Sequence, residues 1–495
     1  MSEMKQKCPH AKKCGGCQLQ NMVYERQLSF KQVKVIKLLG KYRHVDEIIG
    51  MKSPYHYRNK VQAAFGERNG EIISGIYQSS THKIVPVDSC LIEDQKADEI
   101  IVTIRKLVKS FKLRAFNDVT MKGFLRHVLI KRGFSSGEIM VVLVTGTMDF
   151  PKQESFVNAL LTRHPDITTV VQNVNNKRTS LLLGEESRVL FGSGYIEENL
   201  CGFRFRISPK AFYQINPTQT EILYNKALEF AQLTGKETVL DAYCGTGTIG
   251  IIASPRAGQV VGVELNGDAV KDAKENAALN GVKNITFYED DAGRFMVKAA
   301  QKGAKYDVVI MDPPRAGASL DFLKCLVTLA PKRVVYISCN PETQARDLAF
   351  LVKNGYKVKK IQPVDMFPHT EHVETVVLLS RQSAEHTMKL HAAPFKRIKN
   401  GQKTIELRLL DEKRQRIQMG DRIVFTNRTT GEKLRAVVKA LHRFDSFEEL
   451  YENLPLLKCG YTAEDIDKAH PSDMERYYSA EEQQKYGVVG IELGL

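Results

Sequence analysis

Residues 238–250, TVLDAYCGTGTIG, read as a short apolar strand, an acid at Asp241, a glycine loop and the start of a helix. Strand, glycine turn and helix in that order belong to a βαβ unit, and hence to an open α/β sheet whose ligands bind at the carboxyl ends of its strands. Gly245, Gly247 and Gly250 spell G-x-G-x-x-G. That pattern suits a dinucleotide as well as other nucleoside ligands, because glycine lets backbone approach the ligand at a helix start. The acid before the loop and the D-x-Y-C-G-x-G context favour S-adenosylmethionine, a cationic sulfonium nucleoside without a pyrophosphate, for which a nearby carboxylate is welcome.

Working outward, the next strand, QVVGVEL, ends near Glu264, where a carboxylate takes ribose hydroxyls. A helix is expected from Gly267 to Asn280, a third strand over 283–287, and then Asp290-Asp291, one of which would meet the adenine amino group. The fourth strand, YDVVIMDPPR, closes on Asp312-Pro313-Pro314-Arg315. D-P-P at a strand end marks many nucleic-acid methyltransferases, and amino-group methylases usually continue it with an aromatic residue. Arg315 stands there instead. The fifth strand, in RVVYISCNPET (333–343), runs into Cys339 at a turn set by Asn340-Pro341. A thiol at that edge points to methylation at carbon. Pyrimidine carbon 5 is a poor nucleophile; addition of a thiolate to carbon 6 makes it enolate-like, and a base must then remove the carbon-5 proton. The last strand, expected to be antiparallel, is preceded by FPHTEHVE, which offers His369, Glu371, His372 and Glu374 at the same edge.

Other features bound the class. Lys and Arg number 72 against 57 Asp and Glu, a net charge of +15 that is compatible with a polyanionic partner such as nucleic acid. Tryptophan is absent, so base stacking falls to Phe, Tyr, His or Arg. No apolar run is long enough for a membrane span, and MSEMKQKCPH has no apolar signal core, so a cytoplasmic enzyme is expected. The nine cysteines do not form a disulfide framework. Cys8, Cys14 and Cys17, in a C-x5-C-x2-C spacing with Gly15-Gly16 at the turn, read as metal ligands with His10 or Cys90 as the fourth. Three cysteines and a histidine suit zinc; four cysteines suit zinc or an iron–sulfur cluster.

Four segments are expected. Residues 1–92 hold the cysteines, a helix over 20–39 and a hairpin turning at Asn69-Gly70. Residues 93–205 form an α+β module whose strands include 128–134, 138–146, 168–175 and 179–187; its Lys122, Arg126, His127, Lys131 and Arg132 face either solvent or RNA. Residues 206–382 are the α/β domain. After a polar linker over 382–387, residues 388–495 form a further module, dense in Lys and Arg over 389–416.

SCNPET, DPPRAG, DAYCGTGTIG, FYQINPTQTE and MFPHTEHVETVVLLSR together resemble the RNA 5-methyluridine methyltransferase family, over roughly residues 8–382. The resemblance implies a Rossmann-like class I methyltransferase domain, Cys339 as nucleophile and Glu374 as general base. It implies cofactor contacts from Gln214, Tyr243, Glu264, Asp291 and Asp312, and an aromatic at Phe212 near the target base. The cysteine pattern resembles the ribosomal RNA members, which implies a 4Fe-4S cluster on Cys8, Cys14, Cys17 and Cys90, 23S ribosomal RNA as the partner, and a monomer. Many members carry a small RNA-binding barrel before the cluster; with seven residues ahead of Cys8, that barrel is expected to be missing. In the last segment, Gly401-x-Lys403-x-x-Glu406-x-Arg408 and Gly420-Asp421 resemble the ASCH family, small β-barrels related to the PUA fold, some of which are amidohydrolases. Transfer RNA uridine methylation, cytosine carbon-5 methylation (which pairs two cysteines, one after the strand-four proline) and a non-catalytic RNA-binding assembly factor are the competing readings.

Overall fold

The computed structural model describes residues 7–79, 81 and 83–495; the first six residues, on which the signal-peptide expectation partly rests, lie outside them. The chain divides into two compact units. One comprises Met1–Cys325, Pro331–Phe350 and Val358–Ser380; the other comprises Leu326–Ala330, Leu351–Lys357 and Arg381–Leu495. No helix among the described residues is long and apolar enough to cross a membrane.

In the first unit, helix α1 (Tyr24–Leu39) begins after a turn at Leu19–Met22 rather than at residue 20. The hairpin β1 (Lys60–Arg68) and β2 (Glu71–Tyr77) turns at Asn69 and Gly70, both with positive φ, as Asn-Gly turns require. With β3 (Ile84–Pro86), β4 (Leu125–Arg132), β5 (Ile139–Thr145), β6 (Ile167–Val174) and β7 (Glu186–Phe191) it makes one seven-stranded sheet, β3-β2-β1-β4-β5-β6-β7. One sheet therefore draws strands from both sides of residue 92. Helix α2 (Gln95–Ser110) buries Ile100, Ile104 and Leu107 against Val128, Ile130 and Val141 on one face. Leu129, Met140, Val142 and Val144 pack on the other face against the hairpin β8 (Ile196–Leu200) and β9 (Phe203–Ile207) and helix α3 (Pro217–Ala231).

Covering both faces changes the fate of the basic strand. Arg126 and Lys131 are buried and bonded within the fold rather than solvated, although Arg126 still lines a cavity. Arg126 donates to the carbonyls of Asn175 and Lys177 and pairs with Asp118; Lys131 donates to the carbonyls of Ser208 and Ala211 at 2.8 and 2.7 Å. Residues 179–185 are loop, not strand, despite three consecutive leucines. Asn173 and Asn175 side chains bond the backbone of Leu181, Leu182, Gly184 and Glu186, and so occupy the groups a ladder would need.

The α/β sheet follows, with β10 (Thr238–Ala242), β11 (Gln259–Glu264), β12 (Ile285–Glu289), β13 (Val308–Met311), β14 (Arg333–Ser338), β15 (Tyr356–Val364) and β16 (Glu374–Arg381), in the order β12-β11-β10-β13-β14-β16-β15. Strands β10 to β14 are parallel neighbours, and β16 runs antiparallel to β14, as the sequence predicts. Helices α4 (Thr248–Ala253), α5 (Gly267–Leu279), α6 (Ala292–Gln301) and α7 (Pro341–Lys353) follow β10, β11, β12 and β14. Buried strands such as VVIM of β13 are uniformly apolar because helices cover both sheet faces.

The second unit is a five-stranded mixed sheet of β17 (Glu385–Leu390), β18 (Ile405–Leu409), β19 (Arg422–Asn427), β20 (Lys433–Phe444) and β21 (Val488–Gly494), ordered β17-β19-β20-β21-β18. It curls about Phe395, Ile423, Phe425 and Ile491, with Leu407, Phe447 and Leu450 in a second cluster. The expected linker is partly strand: β17 starts at Glu385 and pairs in parallel with β19, because Met388 and Leu390 alternate into the core. Glu406 of the G-x-K-x-x-E-x-R stretch is buried between Lys403 at 3.0 Å and Arg408 at 2.7 Å. Those two cations are thereby spent inside the fold.

Candidate active site

The carboxyl edge of the α/β sheet opens into a cavity of about 680 Å³. Gln214, Tyr243, Glu264, Asp291, Asp312, Cys339, Glu374 and Phe212 all line it. Most of them arrive from the ends of different strands, as the geometry of open parallel sheets dictates.

The glycine loop is built for packing as much as for a ligand. Gly247, at φ 78°, would place a β-carbon 2.8 Å from the Phe287 ring, and a β-carbon on Gly250 would meet Asp241 Oδ2 at 2.9 Å. Asp241 itself does not face the cavity, contrary to the role expected for it. It is buried, it accepts from Gly250 N at 2.7 Å, and burial pushes its carboxyl up to about 8. It therefore fastens the loop. The carboxylate facing the cavity here is Glu264, whose oxygens accept from Gly245 N at 3.1 Å and Asn266 N at 2.9 Å. Of the acid pair, Asp291 caps helix α6 through Arg294 N and faces the cavity, while Asp290 pairs with Lys298 and Arg294.

At the other end of the cavity, β14 and β16 pair in a register that sets Ser338 opposite Thr375. The next positions beyond the ladder are Cys339 and Glu374. Ser338 Oγ bridges the backbone N–H and carbonyl of Asn340, which fixes the turn carrying Cys339. Asn340 Nδ2 and Thr343 Oγ1 both donate to the Arg315 carbonyl at 3.2 Å, so the D-P-P-R loop is tied to the same turn. Burial pushes the Cys339 thiol up to about 11, with Glu374 and Asp312 adding to the rise and Arg315 opposing it. Burial raises Asp312 to about 7. Burial, and then the Asp312 carboxyl, hold Glu374 well above the usual carboxylate range. Tyr224 is buried and lines the cavity beside Gln214, Thr248 and Asp312. Its apolar helical spacing in α3 reads as core, so no local signal picks it out as a site residue.

Among the four acid–base candidates in the run 369–374 that opens β16, Glu374 alone lines the cavity. His369 is buried, stacked on Tyr55 at 4.7 Å. His372 Nδ1 lies 3.3 Å from Arg315 Nη2, and Glu371 is exposed with its backbone N–H on Gln18.

The cysteines gather elsewhere. Cys14, Cys17 and Cys90 line a second cavity of about 1090 Å³ together with Arg58 and Lys60; neither Cys8 nor His10 does. Gly15 turns at φ 73° between Cys14 and Cys17. Burial pushes the Cys17 thiol up to about 11, Cys14 and Cys8 adding to it and Arg58 opposing. Among the described residues, no three His, Cys, Asp or Glu side chains converge closely enough to hold a metal ion.

Comparison with known proteins bears on this geometry. The family model for tRNA (uracil-5-)-methyltransferase matches residues 23–382, and that for the ASCH domain matches residues 388–495. An uncharacterized RNA methyltransferase of Clostridium acetobutylicum is 45% identical over 381 residues, covering 76% of this chain and 83% of its own. One of Oceanobacillus iheyensis is 43% identical over 383 residues, 76% of this chain and 82% of its own. Among solved structures, the Pyrococcus abyssi tRNA (uracil-54, C5)-methyltransferase in complex with S-adenosyl-L-homocysteine is 31% identical, with a TM-score of 0.63 over 74% of this chain and 85% of that one. The chain belongs to the RNA uracil-5-methyltransferase family and carries an ASCH domain at residues 388–495.

Proposed function

We propose that this enzyme methylates carbon 5 of uridines in RNA, using S-adenosylmethionine as methyl donor, through a covalent adduct on Cys339. The observation that carries the reading is the juxtaposition of Cys339 and Glu374 beyond the β14–β16 ladder, in the same cavity as Glu264, Asp291 and Asp312. Gln214, Tyr243, Glu264, Asp291 and Asp312 would hold the cofactor, with the two acids at the ends of β11 and β12 suited to the ribose and the adenine amino group. Phe212, 65% exposed at the cavity rim, is free to stack on the target base.

In this chemistry the Cys339 thiol loses its proton to solvent and the sulfur adds to carbon 6. The carbon 5–carbon 6 pair then displaces S-adenosylhomocysteine from the methyl group. Glu374 takes the carbon-5 proton, the C–H pair restores the double bond, and the carbon–sulfur pair returns to Cys339. RNA containing 5-fluorouridine should trap the adduct, since fluorine does not leave as a proton. A denaturation-resistant protein–RNA species is expected with the wild type and none with Cys339→Ala; an undiminished species in that variant refutes the nucleophile. Glu374→Gln should methylate natural RNA and then stall on the adduct.

The substrate we propose is 23S ribosomal RNA in the cytoplasm, supported by the cysteine pattern. The similarity to a Pyrococcus abyssi tRNA (uracil-54, C5)-methyltransferase favours a second reading, transfer RNA. Mapping 5-methyluridine in both RNAs from cells lacking the protein separates them. Cys8, Cys14, Cys17 and Cys90 would hold a 4Fe-4S cluster, supported by three of them lining one cavity beside Arg58, a cation suited to a cluster of thiolates. Anaerobic protein should carry about four irons per chain; stoichiometric zinc instead would overturn this. By the same reading, 1–92, 93–205 and 206–382 act as cluster, RNA-recognition and methyl-transfer segments of a monomer, and 388–495 adds RNA affinity.

A further inference from the structure

The loop over 367–373, which leads into Glu374 at the start of β16, takes hydrogen bonds from segments remote in sequence. Its backbone is bound by the chain just after Cys17. Leu19 N donates to the His369 carbonyl at 2.9 Å, and Gln18 Oε1 accepts from Glu371 N at 3.4 Å while Gln18 Nε2 reaches back to the Gly15 carbonyl. In α1, fully buried Gln27 takes His369 at two points: its Oε1 accepts from the backbone N–H at 2.8 Å, and its Nε2 meets ring Nδ1 at 3.1 Å. Lys31 donates to the Phe367 carbonyl at 3.0 Å, and Tyr57 OH to that of Pro368 at 3.0 Å.

His369 sits at φ 68°, in the left-handed region. A side chain with a β-carbon persists there only when its surroundings over-determine it. The bonds from Leu19 and Gln27 supply that constraint. Between His369 and Glu374 little slack remains. Thr370 Oγ1 donates to the Phe367 carbonyl at 2.8 Å and accepts from His372 N, and Val373 is buried. Phe367, at the head of the loop, lines the cavity that holds Cys339.

We propose that Gln18 and Gln27 are positioning residues for proton removal: they clamp the loop over 367–371 and so aim Glu374 at carbon 5 of the methylated adduct. This rests on the reading above that Glu374 takes that proton. Neither glutamine lines the cavity, and Cys339 is carried by the separate β14 turn. Loss of the clamp should therefore spare thiol attack and methyl transfer and slow only the step in which the carbon-5 proton passes to Glu374 and the carbon–sulfur bond breaks.

The experiment is a single-turnover rapid-quench measurement on the full-length, metal-loaded protein with natural RNA. It follows methyl label first in the protein–RNA adduct and then in free RNA. For Gln27→Ala, release should slow at least tenfold and adduct accumulate, while methyl transfer and the KM for RNA stay within about twofold. Gln18→Ala should do the same more weakly, by at least threefold. Gln18 is exposed, so this variant carries the test if Gln27→Ala does not fold. Metal content and the far-ultraviolet spectrum should match the wild type. Equal slowing of transfer and release, or unchanged release in the folded variants, overturns the proposal. Glu374→Gln, run alongside, keeps the two readings apart. If it accumulates no adduct, Glu374 is not the base. If it does and the glutamine variants do not, the clamp is the failed idea.

Discussion

On the proposed mechanism, three groups around Cys339 set how pH acts on adduct formation. The thiol is pushed up to about 11 by burial, Glu374 and Asp312, and drawn down by Arg315. Only the thiolate adds to carbon 6. Below about 11 the thiolate fraction of the free protein grows with pH, less steeply where Asp312 ionises and pushes the thiol up further. Adduct formation with 5-fluorouridine RNA at subsaturating concentration should therefore rise with pH between about 6.5 and 8.5, by less than about tenfold per unit because Asp312 ionises in the same window. Arg315→Ala should lower the whole profile. A flat profile would mean the thiol is already ionised. Asp241 offers a separate test at residue scale. Its folded value of about 8 lies above the ordinary value of 3.8. Between those limits the native protein holds a proton that the unfolded chain has released, so this group's stability contribution is complete at low pH and lost as pH rises through about 8. Asp241→Asn keeps an acceptor for Gly250 N and removes the titration. The wild type should thus lose melting temperature relative to the variant as pH goes from 5 to 8, measured as the difference between the two proteins.

At the scale of elements, side chains rather than ladders make several of the joints. Lys31 of α1 and Asp365 after β15 form a pair at 2.6 Å with neither side chain exposed, and Tyr24 OH adds a bond to Asp365 at 2.9 Å. Removing one partner of such a pair strands a charge in a low-dielectric interior, at a cost of about 3–5 kcal/mol. Lys31→Met should lower unfolding stability by that order in urea titration. A second substitution, Asp365→Leu, should restore part of it. Lys131 of β4 is an analogous peg. It binds the carbonyls of Ser208 and Ala211, and the chain then enters the stretch that carries Phe212 and Gln214. Lys131→Met leaves two carbonyls without their donor, each costing about 1–3 kcal/mol. It should weaken cofactor binding as well as stability, measured by calorimetric titration with S-adenosylhomocysteine.

Across the whole molecule, charge is the remaining lever. The net charge of +15 overstates what RNA can meet, since Arg126, Lys131, Lys403 and Arg408 are bound inside the fold. In the ASCH domain Lys389, Lys396, Lys413 and Arg416 are exposed, and on the proposed reading they meet phosphate. Phosphate binding gives sequence-independent affinity that falls with salt. Replacing these four with serine should raise the KM for RNA, flatten its salt dependence by about one power of salt for each phosphate no longer neutralised, and leave the saturated rate nearly unchanged. An unaltered salt slope in steady-state kinetics would assign the domain to another ligand.

The sequence by itself determined what is local. Strand-then-loop junctions at Asp241, Glu264, Asp312 and Cys339 are written in short apolar runs broken by glycine or proline, and parallel topology then brings those ends to one edge. The Asn69-Gly70 turn was equally plain, because its backbone angles need those residues. Where residue spacing left equivalents open and the family resemblance pointed to Asp291 and Glu374, the tertiary structure supplies the physical reason. It set Asp291 rather than Asp290 toward the cavity, because one caps a helix and the other meets Lys298. It set Glu374, alone of the four candidates, on the cavity, because strand register, not spacing, decides which side chain follows the ladder. It buried Arg126 and Lys131, because the sheet is covered on both faces by elements remote in sequence. It turned 385–387 from linker into strand and 179–185 from strand into loop, since each outcome depends on partners contributed from elsewhere, β19 in one case and two asparagines in the other. The clamp on the loop before Glu374 belongs to the same class: more than three hundred residues separate Gln27 from His369, and no local pattern relates them.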